Sequence, residues 1–171
     1  YGGRISLFIG LFASVVSIGM GILIGGISGY VGGKTDNAIM RITDLVMGLP
    51  FLLCMILLKV VLSSGPGESG ITALLIALVV LSWTGSARLV RGQILQLRES
   101  EFVHAAKILG AKPLYIILRH MLPNIFGLIL VSLTFGIPSA IFTEAFLSFI
   151  GLGVAAPATS WGSMCNDGLQ A

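Results

Sequence analysis

The histidines, cysteines and carboxylates are the side chains that could carry chemistry in this sequence, and their spacing argues against a catalytic or metal centre. His104 and His120 lie sixteen residues apart in an amphipathic stretch, where interface or surface roles suit them better than metal binding. Cys54 falls in an apolar run and Cys165 in a polar tail. Neither has metal-like spacing, and no disulfide is expected between them. Cys54 reads as a soft apolar filler and Cys165 as an incidental thiol. A phosphate-cradling loop of the form G-x-x-x-x-G-K-[ST] does not occur, so the chain is expected to carry no ATP site, no catalytic residue and no cofactor of its own. Glu144 stands apart because it lies within an apolar stretch, and ionisable residues inside a membrane are costly and often functional. Two readings are open for it: a gate or pathway-lining residue, or a carboxylate hydrogen-bonded to a neighbouring span near the interface.

The elements that must position these residues are set by composition. Of 171 residues, 56% are hydrophobic and 10% charged, against about 25% charged in ordinary soluble domains. With a mean hydropathy of +1.02, so much apolar surface cannot be hidden in a core of this size, and the solvent must be lipid. A secretory signal would have an apolar run of only about 7–15 residues, far shorter than the uncharged run from Ile5 to Gly33. The chain opens at Tyr1 without an initiator Met and stops at Ala171, which reads as a fragment lacking both ends.

A membrane helix needs about 20 mostly apolar residues. Four spans are expected: Ile5–Tyr30, Asp44–Leu62, Ile71–Ala87 and Asn124–Ile150. The second is short, and Lys59 near its end is expected to snorkel to the headgroups. Pro50 and Pro138 fall within spans and should kink them, which could shape a pathway or merely fit the packing. Four spans put the Ser63–Gly70 loop and the 151–171 segment on one side, and Gly32–Arg41 and Arg88–Pro123 on the other. Eight of the ten basic residues, Lys34, Arg41, Arg88, Arg91, Arg98, Lys107, Lys112 and Arg119, lie on that second side. Cytoplasmic loops are enriched in Lys and Arg, so the 88–123 loop is expected in the cytoplasm. Orientation thereby explains the basic cluster without nucleic acid. Gly21, Gly25, Gly29 and Gly33 recur every four residues on one helix side, where small residues let helices approach closely in lipid. A contact within the subunit or a dimer seam would use them equally.

The segment Glu99–Pro123 reads ESEFVHAAKILGAKPLYIILRHMLP. Phe102, Ala105, Ala106 and Leu109 have helical spacing and form the expected apolar face of a first helix, with Glu101, His104 and Lys107 on other faces. Gly110 suits its C-terminus, where glycine takes a left-handed conformation cheaply. Pro113 suits the first turn of a second helix, with Leu114, Ile117, Leu118 and Met121 as its stripe. Such a bent pair could lie on the bilayer or present a face to a partner's groove.

This segment resembles the loop signature of ABC importer permeases: Glu-Ala-Ala, three residues, Gly, nine residues, a hydrophobic position and Leu-Pro. Ala105, Ala106, Gly110, Leu122 and Pro123 match in place and spacing. His104 replaces the Glu, and His120 stands where Ile is usual. Arg119–His120 is the pair common before Leu-Pro in the peptide and nickel branch. Tyr1–Leu7, Gly29–Gly33, Ile39–Asp44, Ala87–Gly92, Leu147–Gly153 and Ser160–Gly162 are similar to further landmarks of that branch and of its C-type permease.

The resemblance implies an all-α, polytopic helical bundle of the type I importer fold in the bacterial inner membrane, lacking here the first span, the external loop after it and the last span. It implies that the 101–118 loop, with Glu101, Phe102, His104, Ala105, Ala106, Gly110, Ala111, Pro113, Leu122 and Pro123, docks on a separate ATPase subunit, whose closure rocks the spans between inward- and outward-facing states. The implied partners are ABC ATPases, a second, paralogous permease, an external substrate-binding protein and the lipid bilayer. Peptides, nickel or related small solutes are the implied cargo. A secondary carrier or channel, or a structural membrane subunit, would need no ATPase.

Overall fold

The computed structural model describes residues 2–62, 70–153 and 159–170. It is all-α, with no strand among the described residues: α1 Gly2–Val31, α2 Gly33–Gly48, α3 Phe51–Leu62, α4 Ile71–Arg98, α5 Glu101–Ile108, α6 Pro113–Ile116, α7 Phe126–Phe149 and α8 Trp161–Gln170. A π-helical turn over Ile117–Met121 and a 3-10 turn over Pro123–Ile125 join α6 to α7. Gly3–Val31, Ile71–Arg98 and the run Pro113–Phe149 are each long and apolar enough to cross a membrane, and α2 with α3 makes a fourth if that broken pair is one span. Of the expected Ser63–Gly70 loop, residues 63–69 lie outside the described residues, as do 154–158 of the expected 151–171 external segment.

Three boundaries differ from the sequence expectation. The 44–62 segment is two helices, because Pro50 can neither donate to α2 nor fit inside it; the break falls at Leu49–Pro50. The helix expected to end at Ala87 continues to Arg98, where polarity ends the apolar stretch but not the helix. Gly33 opens α2 rather than extending the packing face of α1.

The chain forms two compact units. The first comprises 1–17, 49–82 and 133–171. In it, Gly10 packs so closely on α7 that a Cβ would meet Ile141 at 2.3 Å. Lys59, expected to snorkel, is instead buried: its ammonium donates to the carbonyls of Leu152 and Gly153. These follow the left-handed Gly151 that ends α7, so an internal set of acceptors takes the place of headgroups. Glu144 is fully buried here, accepting from Ser6 Oγ at 2.8 Å and Ser148 Oγ at 2.7 Å. Pro138 lies inside α7, which runs on through it.

The second unit comprises 18–48 and 83–132. Gly21, Gly25 and Gly29 lie against α4. A Cβ would meet Ser86 Cβ at 2.4 Å, the Ala87 carbonyl at 2.3 Å and the Arg91 carbonyl at 2.9 Å respectively. The glycine stripe therefore serves a contact within this chain. Gly33 has nothing within 4 Å of its Cβ position and takes no part.

Candidate docking site

The polar segment after α4 is built on the second unit's core. Val90 and Ile94 from α4, Val103 and Ala106 from α5, then Ile116, Met121 and Ile125 form one buried cluster, flanked by Ile22 and Tyr30 of α1. Burying a side chain of this kind contributes about 1.5–3 kcal/mol, so α5 and α6 are anchored rather than free.

Ser100 precedes α5 with an extended backbone, φ −76° and ψ 150°. Its carbonyl accepts from the backbone N–H of Val103 and of His104, and His104 Nδ1 lies 3.0 Å from the same oxygen. A carbonyl only accepts, so this contact needs the proton on Nδ1. His104, in the Glu position of the signature, thus closes onto the start of its own helix. Glu101 sits in the first turn and Lys107 in the last, each complementing the helix dipole.

The bend forms as its residue types require. Gly110 has φ +77°, its N–H donates to the Lys107 carbonyl, and Ala111 N–H donates to that of Ala106, both at 3.0 Å. This is the Schellman arrangement, in which two bonds close the helix end. Ala111 packs on the cluster containing Ala106, the accompanying apolar contact. Lys112 then takes φ −67° and ψ 147°, and Pro113 starts α6. Only a few residues separate α5 from α6, and each is fixed by backbone bonding or by proline.

The Leu-Pro of the signature ends a π turn. Leu122 N–H donates to the Ile117 carbonyl at 2.8 Å, an i to i+5 bond, and Pro123 begins the 3-10 turn. A proline ring crowds the carbonyl four residues back, here that of Arg119, and the wider turn makes room. Asn124 Nδ2 donates to the His120 carbonyl at 2.6 Å, supplying a bond that regular helix would have drawn from the backbone. The His120 ring meets Tyr115 edge-on, with centroids 5.6 Å apart.

The expected apolar faces are split between the core and the surface. On α5 the buried side chains are Val103 and Ala106, whereas Phe102 and Ala105 are exposed and Leu109 is 87% exposed. After the bend, Ile116 and Met121 are fully buried, and Leu114 and Leu118 are exposed. The π turn alters the angular step per residue, so a 3.6-residue period fails across it. Ile108 (86% exposed) and Leu109 stand together at the bend as an apolar tip. Ile108 was not among the expected docking residues. An apolar residue directly before the Leu109–Gly110 helix end was the available sign.

A second constellation went unread in the sequence. Asp36, buried on α2, accepts from Ser28 Oγ and from Arg91, whose Nε lies 2.5 Å away and whose Nη2 bonds the second oxygen. Both residues lie beyond the apolar stretches. An exposed pair, Arg88 with Asp44, joins the same two helices. Glu144, Pro138 and Pro50 belong to the first unit and are not part of this site. Among the described residues there is no group of three or more His, Cys, Asp or Glu that could hold a metal ion.

Residues 21–170 match the family described as binding-protein-dependent transport system inner membrane component, and the chain belongs to that family. It is 48% identical over 169 residues to the dipeptide transport system permease protein DppC of Bacillus subtilis (strain 168), covering 99% of this chain and 51% of that protein. It is 49% identical over 170 residues to the oligopeptide transport system permease protein OppC of the same strain, covering 99% and 54%. The OppC of Escherichia coli (strain K12) is 40% identical over 167 residues, covering 98% and 54%. The chain spans about half the length of the curated relatives it matches. These relatives are C-type permeases, and the apolar helices agree with a multi-pass protein of the inner membrane.

Proposed function

We propose that this chain belongs to the membrane-spanning permease subunit of an ATP-driven importer of peptides, and that the segment from α5 to Pro123 docks on a separate ATPase subunit on the cytoplasmic face. The observation that carries this reading is the bend itself: an apolar tip, Ile108 and Leu109, held out from a buried anchor by a Schellman closure and a proline start. A tip meant only to rest in lipid would not need both ends of its support fixed, whereas one that transmits a push must not yield. The orientation rests on the eight basic residues of the 32–41 and 88–123 segments. ATP hydrolysis falls to the partner, a second and related permease completes the pathway, and an external binding protein delivers the cargo. No cofactor is required on this chain. The relatives' names favour peptides; nickel rests on the branch resemblance alone.

The test is co-purification of the full-length subunit with its candidate ATPases, with and without Gly110→Val. At φ +77° a β-branched residue is strained. The variant is expected to reach the membrane in normal amount and to lose ATPase retention and uptake together. Normal uptake by Gly110→Val, or an intact protein that retains no ATPase, would overturn the reading in favour of a carrier or structural subunit.

A further inference from the structure

The joint between α1 and α2 is built from two successive left-handed glycines, Gly32 with φ +69° and Gly33 with φ +60°. Glycine is permissive in this region; Gly32 N–H donates to the Ser28 carbonyl at 3.0 Å and Asp36 N–H to the Gly32 carbonyl at 3.3 Å, which leaves the angle between the two helices to be set by side chains. Asp36 reaches across it. Its carboxylate binds Ser28 of α1 and, through both oxygens, Arg91 of α4. Bidentate arginine–carboxylate pairs are strong and fix orientation as well as distance. Asp36 is only 6% exposed, which shields the pair from solvent.

The same helix end is held a second time from the docking side. Arg98, on the last turn of α4, donates to the Tyr30 carbonyl at 3.4 Å. Lys107 of α5 lies over the Tyr30 ring, 5.7 Å from its centroid, within reach of a cation–π attraction. A line of contacts thus runs from α5 through Tyr30 to the end of α1, and from α4 through Asp36 to the start of α2. Every member of it belongs to the second unit.

Resting on the docking reading above, we propose that Asp36 and Arg91 are positioning residues for energy coupling: their ion pair locks the Gly32–Gly33 joint, so that a displacement of α5 moves the ends of α1 and α2 together. Without the lock, the glycine pair absorbs the motion. A contiguous chain of contacts does not itself demonstrate coupling, so the test needs a readout that simple destabilisation would not move.

The complete transporter, with partner permease and ATPases, is reconstituted in nanodiscs on a cysteine-free background carrying V31C. Val31, the last residue of α1, is 57% exposed, and its maleimide labelling rate is compared without nucleotide and after trapping with ATP and vanadate. The intact pair is expected to give a nucleotide-dependent change of about fivefold or more. D36A and R91A are each expected to abolish that change while still retaining the ATPases and hydrolysing ATP. The double variant should be no worse than either single one, and the swap D36R/R91D should restore part of the response. If D36A does not assemble, D36N carries the test, since it keeps the shape and removes the charge. An undiminished response in D36A or D36N, with ATPases retained, overturns the proposal. An intact transporter that retains no ATPase overturns the docking reading instead, and this proposal falls with it.

Discussion

The Ser6 hydroxyl donates to the Glu144 carboxylate at 2.8 Å across 138 residues of sequence, and its oxygen in turn accepts the backbone N–H of Trp161 at 3.2 Å. Trp161 is the first residue of α8. A helix start carries partial positive charge, and here it reaches a carboxylate through one hydroxyl. The neighbouring residues serve the same join. Ser160 and Ser163 bond each other reciprocally, Ser160 N–H to Ser163 Oγ and Ser163 N–H to Ser160 Oγ. A Cβ at Gly162 would lie 2.0 Å from the Ala145 carbonyl. The Ser-Trp-Gly stretch thereby has a physical account: cap, tether and close approach, in that order. Of the two readings open for Glu144, this geometry favours the carboxylate bonded to a neighbouring helix.

Glu144→Gln keeps an acceptor oxygen for one serine and is expected to cost little. Glu144→Ala leaves the Ser6 hydroxyl without its buried acceptor, at a cost of about 1–3 kcal/mol. Thermal unfolding in detergent should show a lower Tm for the alanine variant than for the glutamine one. Maleimide should also reach Cys165 of α8 faster in Glu144→Ala. If both variants lose uptake with Tm and labelling unchanged, Glu144 acts in the pathway instead.

How much of this was legible in the sequence depended on how local the cause was. Gly110 and Pro113 were readable because each conformation is dictated by the residue that adopts it. The glycine face of α1 was readable for three of its four members; Gly33 was lost because helix continuity, not spacing, decides the face, and the helix ends at Val31. Leu109, Leu114 and Leu118 were legible as members of apolar stripes, but which stripe members turn to the core was not, since α5 has only eight residues and the π turn intervenes before Leu122. Asp36 and Arg91 counted only as charges, since a pair 55 residues apart leaves no periodic trace. Lys59 was misplaced similarly: its carbonyl acceptors lie more than 90 residues away.

The glycine contacts with α4 give a prediction with an internal control. At Gly25 a Cβ would sit 2.3 Å from a backbone oxygen, whereas at Gly19 nothing lies within 4 Å. Backbone cannot swing aside as a side chain can, so Gly25→Ala must push α1 and α4 apart; overpacking of this kind costs about 1–3 kcal/mol. Gly19→Ala fills open space and gains helix propensity of about 1 kcal/mol. Steady-state amounts in the membrane and Tm in detergent are expected to fall for Gly25→Ala and to hold or rise for Gly19→Ala. Equal behaviour of the two would mean that α4 does not approach α1 as closely as these contacts require.

Neighbouring apolar residues on the docking segment should separate into two kinds of defect. Ile116 is fully buried and Ile108 is 86% exposed, although both are isoleucines in one short polar stretch. Truncating a buried isoleucine to alanine costs about 2–5 kcal/mol, so Ile116→Ala is expected to lower Tm and membrane abundance, with ATPase retention falling only in proportion. An exposed isoleucine holds up nothing within its own chain. Replacing Ile108 and Leu109 together by serine should leave Tm unchanged or slightly raised. If the tip fills an apolar pocket on the ATPase, that pair of changes should nevertheless release the ATPase, since a few buried anchors carry most of an interface's binding energy. Retention undiminished by the serine pair would show that the tip is not the contact, and the exposed Leu114, Tyr115 and Leu118 would then be the face to test.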